Sequence, residues 1–146
     1  MRKERRMIMN TKTYTTLPQE AKDIRIEVFM KEQGFENEFD KIDTISHHIV
    51  VFDEGKPIGT CRFFKENDHY TIGRVAVLKA YRNQHIGNLL LISAEKEIKK
   101  LNGDLIVVHA QVRVSPFYKK QGYIQFGQID DDEGVPHMWM KKRIQH

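Results

Sequence analysis

The apolar positions along the chain follow two different periods, and the changes between them separate the predicted elements. A helical spacing runs through "LPQEAKDIRIEVFMKEQGF", where the apolar residues are Leu17, Ala21, Ile24, Val28 and Phe29. Gly34 is suited to end this helix. The polar run "ENEFDKIDTIS" that follows indicates a loop with a short helical turn. A first strand is expected in residues 7–15, before the helix.

The middle of the chain has the pattern of a strand meander followed by a strand–helix–strand unit. Turn residues at 54–57 and 66–68 divide "HHIVVFDEGKPIGTCRFFKENDHYTIGRVAVL" into three antiparallel strands. The second helix has its apolar face at Ile86, Leu89, Leu90, Ala94, Ile98 and Leu101, and "NG" at 102–103 ends it. The apolar run "DLIVVHAQV" is typical of a strand covered on both faces. The two strands around this helix should therefore be parallel.

A short third helix and a hairpin close the chain. In "SPFYKKQG", Ser115 is suited to cap the helix, Pro116 to its first position and Gly122 to the residue after its end. The segments "YIQFGQI" and "HMWMKK" flank the turn "DDDEGVP", whose acidic residues 130–133 are most simply a solvated turn. The order αβββαβαββ, with the first strand before it, predicts a mixed α/β sheet.

Length, charge and cysteine content restrict the class of protein. The 146 residues fit a single domain over 1–146, with a loose basic extension expected over residues 1–8. One cysteine, Cys61, excludes a disulfide within the chain, suits a reducing cytoplasm and is expected to be a small buried apolar residue. No apolar run reaches the roughly 18 residues of a membrane helix. The net charge of +4 comes from dispersed basic residues. A nucleic-acid module is thus disfavoured, and it would bind with a strong salt dependence.

The segment "GRVAVLKAYRNQHIGNLLL" has the composition of an anion-binding loop between a strand and a helix. The first N–H groups of a helix lack internal partners and attract negative charge. Arg82 adds a positive charge, and Gly87 allows a phosphate to approach the backbone. A glycine that serves packing alone is the alternative. The chain lacks the G-x-x-x-x-G-K-[ST] and G-x-G-x-x-G signatures, which excludes the better-known phosphate loops.

The loop and four further segments resemble the GNAT superfamily of N-acetyltransferases. That family has the acetyl-CoA loop [QR]-x-x-G-x-[GA] after a strand ending in residues such as "VAV". The segment "FYKKQGY" at 117–123 is similar to one that the family often carries. The segments "IEVFMKEQ", "VHAQ" and "GVPHMWM" are similar to the ElaA/YjcF-type bacterial branch. The resemblance covers nearly the whole element order. It implies a mostly antiparallel central sheet with one splayed parallel strand pair and flanking helices.

The same resemblance implies a cytoplasmic enzyme that moves an acetyl group from acetyl-CoA to the primary amine of a small molecule or peptide. Transfer would be direct, in a ternary complex, and homodimers are common in the family. No metal, membrane or nucleic-acid partner is expected: His47, His48 and His137 lack neighbours at metal-ligand spacing. The alternative is a non-catalytic acyl-CoA-binding or regulatory module with the same fold, against which Tyr118 argues weakly.

The resemblance also implies roles for residues on the cofactor side. Tyr118 would be the general acid that protonates the departing thiolate, although a packing role in an amphipathic helix is the alternative. His85 replaces the family's first loop glycine, which costs some energy if its φ is positive. Backbone groups for the pantetheine arm and thioester would come from Val75, Ala76 and Val77. The pyrophosphate would be held by Arg82, Asn83, Gln84, His85, Ile86, Gly87 and Asn88.

The acceptor side is sought in an acidic segment and at the end of the buried strand. Residues 32–43 contain Glu32, Glu36, Glu38, Asp40 and Asp43 against Lys41 alone, which predicts a local negative patch for a cationic amine. Glu32 is the first choice as base or substrate ligand, with Asp40 and Gln111 as further ligands. His109 is a second candidate base. A solvated acidic loop and a structural histidine are the alternatives.

Overall fold

A computed structural model of the protein describes residues 8–36 and 38–144. The predicted loose extension over residues 1–8 therefore lies outside the described residues, except for Ile8. Within these described residues, seven strands form one sheet in the order β1-β2-β3-β4-β5-β7-β6. The strands are β1 Met9–Tyr14, β2 His47–Asp53, β3 Lys56–Glu66, β4 His69–Val77, β5 Leu105–Gln111, β6 Ile124–Asp132 and β7 Val135–Arg143. The helices are α1 Gln19–Arg25, which continues as a π-helix over Ile26–Glu32, α2 Ile86–Lys100 and α3 Ser115–Lys120.

Strand pairing confirms the predicted mixed sheet. β4 and β5 are parallel neighbours, and all the other adjacent strands are antiparallel. A strand, a helix and a parallel strand in succession need the long crossover that α2 provides. The sheet thus consists of an antiparallel β1–β4 part and an antiparallel β5–β7–β6 part, joined by one parallel pair.

Helices cover both faces of the sheet and create two apolar cores. The larger core lies under α2, which buries Ile86, Leu90, Ala94 and Ile98 against the sheet as its spacing predicts. The second core lies under α1, where Ala21, Ile24 and Val28 pack on β2 and β4. No helix in the described part of the chain is long and apolar enough to cross a membrane.

Three local predictions needed correction. Leu101 follows α2 and is 46% exposed, so it is not part of the buried face. Ser115 does not cap α3: it is the first residue of the helix, and Val114 occupies the cap position. The final hairpin turns only after Asp132, so the acidic residues 130–132 belong to β6. The φ values of +80° at Gly34 and +95° at Gly122 fit the helix ends predicted there.

A network of buried ion pairs connects α1 to the sheet. This arginine cluster comprises the guanidinium groups of Arg25, Arg62 and Arg74 with the carboxylates of Glu38, Asp40 and Asp43. Arg25 is 1% exposed and contacts Glu38 at 2.7 Å and Asp43 at 2.8 Å. Arg62 contacts Asp40 at 2.7 Å and Asp43 at 2.9 Å, and Arg74 completes the cluster at 3.2 Å from Glu38 and 3.4 Å from Asp40.

The cluster overturns the prediction of a negative patch in residues 32–43. Three of the acidic side chains in that segment are neutralised by three arginines that lie elsewhere in the sequence. Glu38 and Asp43 are buried, at 4% and 6% exposure. Buried charges are tolerated only when they are paired and hydrogen-bonded, so these carboxylates serve the fold.

The pKa of Asp43 should be measurably low. Burial acts to raise this pKa, but the hydrogen bonds and charges of Arg25 and Arg62 outweigh burial and lower it from 3.8 to about 2. As the pH falls, the Asp43 carboxyl therefore becomes protonated at a higher pH in the unfolded chain than in the folded protein. Asp43 therefore contributes about 2 kcal/mol of stability above pH 3.8, which is lost as the pH falls through about 2.

An NMR titration of the Asp43 carboxyl carbon measures this pKa without interference from other groups. Asp43 must be measured separately from Glu38, because at Glu38 burial outweighs the arginines and raises the pKa of the carboxyl. The two neighbours therefore affect the pH dependence of stability in opposite directions. A midpoint at or above 3.8 for Asp43 would show that its ion pairs are weak in solution.

Candidate active site

A cleft opens where β4 and β5 separate. The two strands pair only over Tyr70–Ile72 and Ile106–Val108 in the described ladder. Beyond that point, β4 contains a bulge opposite Cys61, where Arg74 has a φ of +51°. A bulge bends its strand and increases the local twist, so it turns the end of β4 away from β5. The cleft has a volume of about 760 Å³ and is lined by residues from both strands, both long helices and the final hairpin.

One wall of the cleft is the predicted anion loop. Arg82, Asn83, His85 and residues 86–88 line it, whereas the Gln84 side chain turns back to the Ala80 carbonyl at 3.4 Å. His85 occupies the helix cap position in the left-handed conformation, with φ +62° and ψ +21°. The positive φ considered for this position is therefore present. His85 makes no side-chain cap bond, so the N–H groups of the first turn of α2 are not capped by it.

Gly87 combines the two roles that the sequence left open. It lines the cleft, and a Cβ atom built there would lie 3.2 Å from Cζ of Phe117. A contact of that length is tight, so the ring would have to shift by a few tenths of an ångström. The missing side chain thus serves the packing of α3 on α2 as well as access to the backbone.

Arg82, on the cleft wall, forms a bidentate ion pair with Glu32 at the end of the first helix. The two contacts measure 2.5 and 2.6 Å, and Nε of Arg82 donates a third hydrogen bond to the Val77 carbonyl at 3.0 Å. The hydrogen bond from Arg82 is the largest influence on Glu32 and lowers the pKa of its carboxyl. A carboxylate held in this way is a weak base. The geometry therefore gives Glu32 the task of fixing the loop to the end of the first helix.

The strand end predicted to hold the thioester lies in the same cleft. Val75, Ala76 and Val77 all line it. On its other edge β4 pairs with β3, through Ala76 with Thr60 and Val77 with Gly59. The Val77 carbonyl is occupied by Arg82. The edge of β4 that faces β5 is thus available to an extended ligand over these residues.

Tyr118 faces the cleft from α3. It is buried to 7% exposure, and its ring packs edge-on against Tyr123 with centroids 5.8 Å apart. Burial, and secondarily the nearby Cys61, raise the pKa of Tyr118 far above the neutral range. The phenol is therefore protonated at neutral pH and carries a proton that it can donate.

Cys61 is confirmed as a buried apolar residue. Its Sγ lies 4.0 Å from the Leu90 carbonyl, and burial raises the pKa of the thiol to about 12. A thiol that stays protonated is a poor nucleophile. Cys61 nevertheless lies close enough to Tyr118 to contribute to the raised pKa of that phenol.

The far wall of the cleft holds the polar residues at the end of β5. Gln111 donates from Nε2 to Gln33 at 2.8 Å, which connects β5 to the end of the first helix. Its Oε1 accepts a hydrogen bond from Arg113 at 2.9 Å. His109 lies on the same face of β5 as Gln111 and contacts Asp130 of β6 at 2.7 Å.

Apart from Glu38, which is held in the arginine cluster, the acidic side chains that line the cleft come from the final hairpin. Asp132 and Glu133 line the cleft, and Glu133 also accepts the backbone N–H of Glu36 at 3.1 Å. Asp40 lies in the arginine cluster. Spacing alone gives no signal for Asp130, because its contact with His109 depends on the register of three strands. Within residues 8–36 and 38–144, no group of three or more His, Cys, Asp or Glu side chains is arranged to hold a metal ion.

Comparison with known proteins identifies what the fold and the cleft resemble. Residues 14–144 match the family model described as "Acetyltransferase (GNAT) domain". The uncharacterized N-acetyltransferase YjcF of Bacillus subtilis is 35% identical over 122 residues, which cover 82% of this chain and 87% of YjcF.

Three solved structures share the architecture. A putative N-acetyltransferase from Lactobacillus plantarum superimposes with a TM-score of 0.86 at 28% identity, covering 94% of this chain and 99% of that one. Escherichia coli ElaA has a TM-score of 0.81 at 22% identity over the same fractions of the two chains. An aminoglycoside 6'-N-acetyltransferase complexed with coenzyme A has a TM-score of 0.72 at 16% identity, covering 88% of this chain and 91% of that one.

Proposed function

Because the chain belongs to the GNAT acetyltransferase family, we propose that it transfers an acetyl group from acetyl-CoA to a primary amine, directly and in a ternary complex. One cleft brings together the uncapped start of α2, the open edge of β4 and the protonated Tyr118. This observation carries the proposal. The CoA complex of the aminoglycoside enzyme with the same architecture supports the choice of cofactor. A free buried thiol suits the cytoplasm as its location.

Each wall of the cleft has its own task in this mechanism. Acetyl-CoA, when bound, supplies an activated thioester. The N–H groups of residues 86–88 would hold the pyrophosphate, with the helix dipole favouring its charge. Backbone groups of Val75–Val77 would align the pantetheine arm like an added strand and polarise the thioester carbonyl. Tyr118 would donate its proton to the sulfur as the C–S bond breaks.

The acceptor in this proposal is an amine that arrives as a cation. Primary amines are protonated at neutral pH, and carboxylates attract them. Asp132 and Glu133 on the cleft wall supply that charge, and the neutralised arginine cluster does not. The acceptor would enter from the side of the final hairpin, opposite the anion loop.

Release of the CoA thiol tests the function directly. The purified protein would be given acetyl-CoA and a panel containing 1,4-diaminobutane, glucosamine, glycine, a short peptide and a lysine derivative. We expect at least one amine to accelerate thiol release, with intersecting double-reciprocal plots that indicate a ternary complex. Tight CoA binding without acceleration by any amine would instead favour the non-catalytic acyl-CoA-binding module.

Gly87→Asp should weaken CoA binding by at least tenfold, on the order of 1.4 kcal/mol. The new carboxylate would lie where the pyrophosphate approaches the start of α2, and like charges repel. Titration calorimetry with CoA measures the change. Gly87→Ala is the matched control, because it adds the same Cβ near Phe117 without the charge. Equal losses in both variants would assign the effect to packing, and no loss in either would refute the anion-loop interpretation.

A further inference from the structure

His109 and Asp130 form a hydrogen-bonded pair that the cofactor side of the mechanism does not use. Nε2 of His109, on β5, lies 2.7 Å from Oδ1 of Asp130, on β6. The imidazole stacks on the indole of Trp139 with centroids 4.3 Å apart, and the ring of His137 lies 4.8 Å away. Both aromatic neighbours belong to β7, the strand between β5 and β6. The ring is thus held by contacts on two strands besides its own.

The contact with Asp130 determines which nitrogen of His109 carries the proton. The hydrogen bond from His109 is the largest influence on Asp130 and lowers the pKa of its carboxyl, which is therefore an ionised acceptor near neutral pH. An ionised carboxylate can only accept, so Nε2 of the neutral imidazole must be the donor. Nδ1 then has a free lone pair. In this tautomer, Nδ1 is the nitrogen that can take a proton.

The position of His109 places its imidazole at the cleft. Alternate residues of a strand point to opposite faces of the sheet. Val108 and Ala110 pack in the core under α2, so His109 and Gln111 lie on the opposite face. His109 lines the cleft, and its side chain is 27% exposed. The imidazole is therefore reachable by a molecule bound between the two halves of the sheet.

We propose that His109 is the base that removes a proton from the ammonium group of the acceptor, and that Asp130 is its positioning residue; this inference rests on the acetyl transfer proposed above. An N–H bond of the ammonium breaks, and an N–H bond forms at Nδ1 of His109. The neutral amine then forms a C–N bond with the acetyl carbon, and the C–S bond breaks. The sulfur takes the proton of Tyr118. The new amide nitrogen gives its surplus proton to the Tyr118 phenolate, and the imidazolium of His109 gives its proton to water. One proton is therefore released overall.

Two other carboxylates, Glu32 and Glu38, are already engaged in ion pairs. Glu32 is held by two hydrogen bonds from Arg82 and has a lowered pKa. Glu38 is buried in the arginine cluster. The charged and titratable side chains that line the cleft with His109 are Glu38, Arg74, Tyr81, Arg82, His85, Arg113, Tyr118, Lys120, Asp132, Glu133 and His137, and Asp130 contacts the imidazole from β6. Among these, Asp130 makes the direct hydrogen bond to His109.

The test compares two amines that differ in their need for a base. The first is the best acceptor of the panel above, which is protonated at neutral pH. The second is hydroxylamine at high concentration, which is largely unprotonated there and needs no base. His109→Gln should lower kcat/KM for the protonated acceptor by at least 10²-fold. CoA affinity and the rate with hydroxylamine should stay within about twofold of the original protein.

Asp130→Asn tests the positioning role through the pH profile. The amide keeps the shape of the carboxylate but not its charge, so the imidazolium form of His109 loses its stabilising neighbour. We expect kcat/KM to fall by about tenfold and the acidic limb of its pH profile to move to lower pH. Asp131→Asn is the matched control: it removes the same charge one residue along β6, where Asp131 pairs with Pro136, and should change neither quantity.

The outcomes separate this inference from the function on which it rests. The proposed base would be overturned if His109→Gln transferred acetyl to the protonated acceptor at an unchanged rate. It would also be overturned if Asp130→Asn left the pH profile unchanged. In both cases the proposed acetyl transfer would still stand. Equal losses with hydroxylamine and with the protonated acceptor would reduce His109 to a structural residue. A protein that binds no CoA and transfers to no amine would refute both proposals.

Discussion

Tyr118→Phe should lower kcat by roughly 10²–10⁴ while CoA affinity changes little. The substitution removes only the hydroxyl group. Burial raises the pKa of Tyr118, so the phenol keeps its proton at neutral pH until negative charge develops on the departing sulfur. Without that proton the thiolate must leave as an anion in a largely apolar site. Thiol release with the best acceptor measures kcat, and calorimetry measures CoA affinity.

Tyr123→Phe is the matched control for this experiment. Tyr123 packs against Tyr118 and is equally buried, but its hydroxyl donates to Glu95 at 2.9 Å and it does not line the cleft. Its replacement should cost about 1 kcal/mol of stability and leave turnover near normal. Near-normal turnover in Tyr118→Phe as well would assign both rings to packing.

Arg25→Ala should destabilise the fold by about 3–5 kcal/mol. The substitution leaves Glu38 and Asp43, at 4% and 6% exposure, without the cation that contacts both of them. An unpaired buried carboxylate must either bear its desolvation cost or take up a proton. For a chain of this size, the loss corresponds to a fall in Tm of roughly 10–16 °C. Urea unfolding at neutral pH measures the free energy.

The exposed pair of Arg143 and Asp104 provides the comparison for this measurement. Its atoms are 3.0 Å apart, as close as those of the buried pairs, but the side chains are 68% and 50% exposed. Water screens such a pair, so Arg143→Ala should cost no more than about 1 kcal/mol. If Arg25→Ala costs no more than Arg143→Ala, the buried cluster contributes little to stability.

Much of the fold was predictable because periodicity is a local property. The spacing of Ile86, Leu90, Ala94 and Ile98 predicted α2, and the apolar run of β5 predicted a buried parallel neighbour of β4. The π-helical continuation over Ile26–Glu32 was not predicted, since π and α turns need the same kinds of residue. The bulge at Arg74 was also missed. Its positive φ falls on an arginine although Gly73 stands beside it, so composition gave no signal there.

The two sides of the site differed in how far the sequence could predict them. The cofactor side lies on contiguous segments, and all of its predicted residues except Gln84 line the cleft. The acceptor side depends on contacts between distant segments. Counting acidic residues in 32–43 could not reveal that Arg25, Arg62 and Arg74 would neutralise them. Likewise, Asp130 could not be assigned a role before the register of β5, β7 and β6 was known.

The short pairing between β4 and β5 has a mechanical consequence. Only three residues of each strand connect the two parts of the sheet along this seam. The loop that we propose holds the pyrophosphate belongs to one part, and the imidazole that we propose takes the proton belongs to the other. Bending about the seam would therefore change the distance between the two reactants directly. The hydrogen bond from Gln111 of β5 to Gln33 at the end of the first helix crosses the opening and restrains that bending.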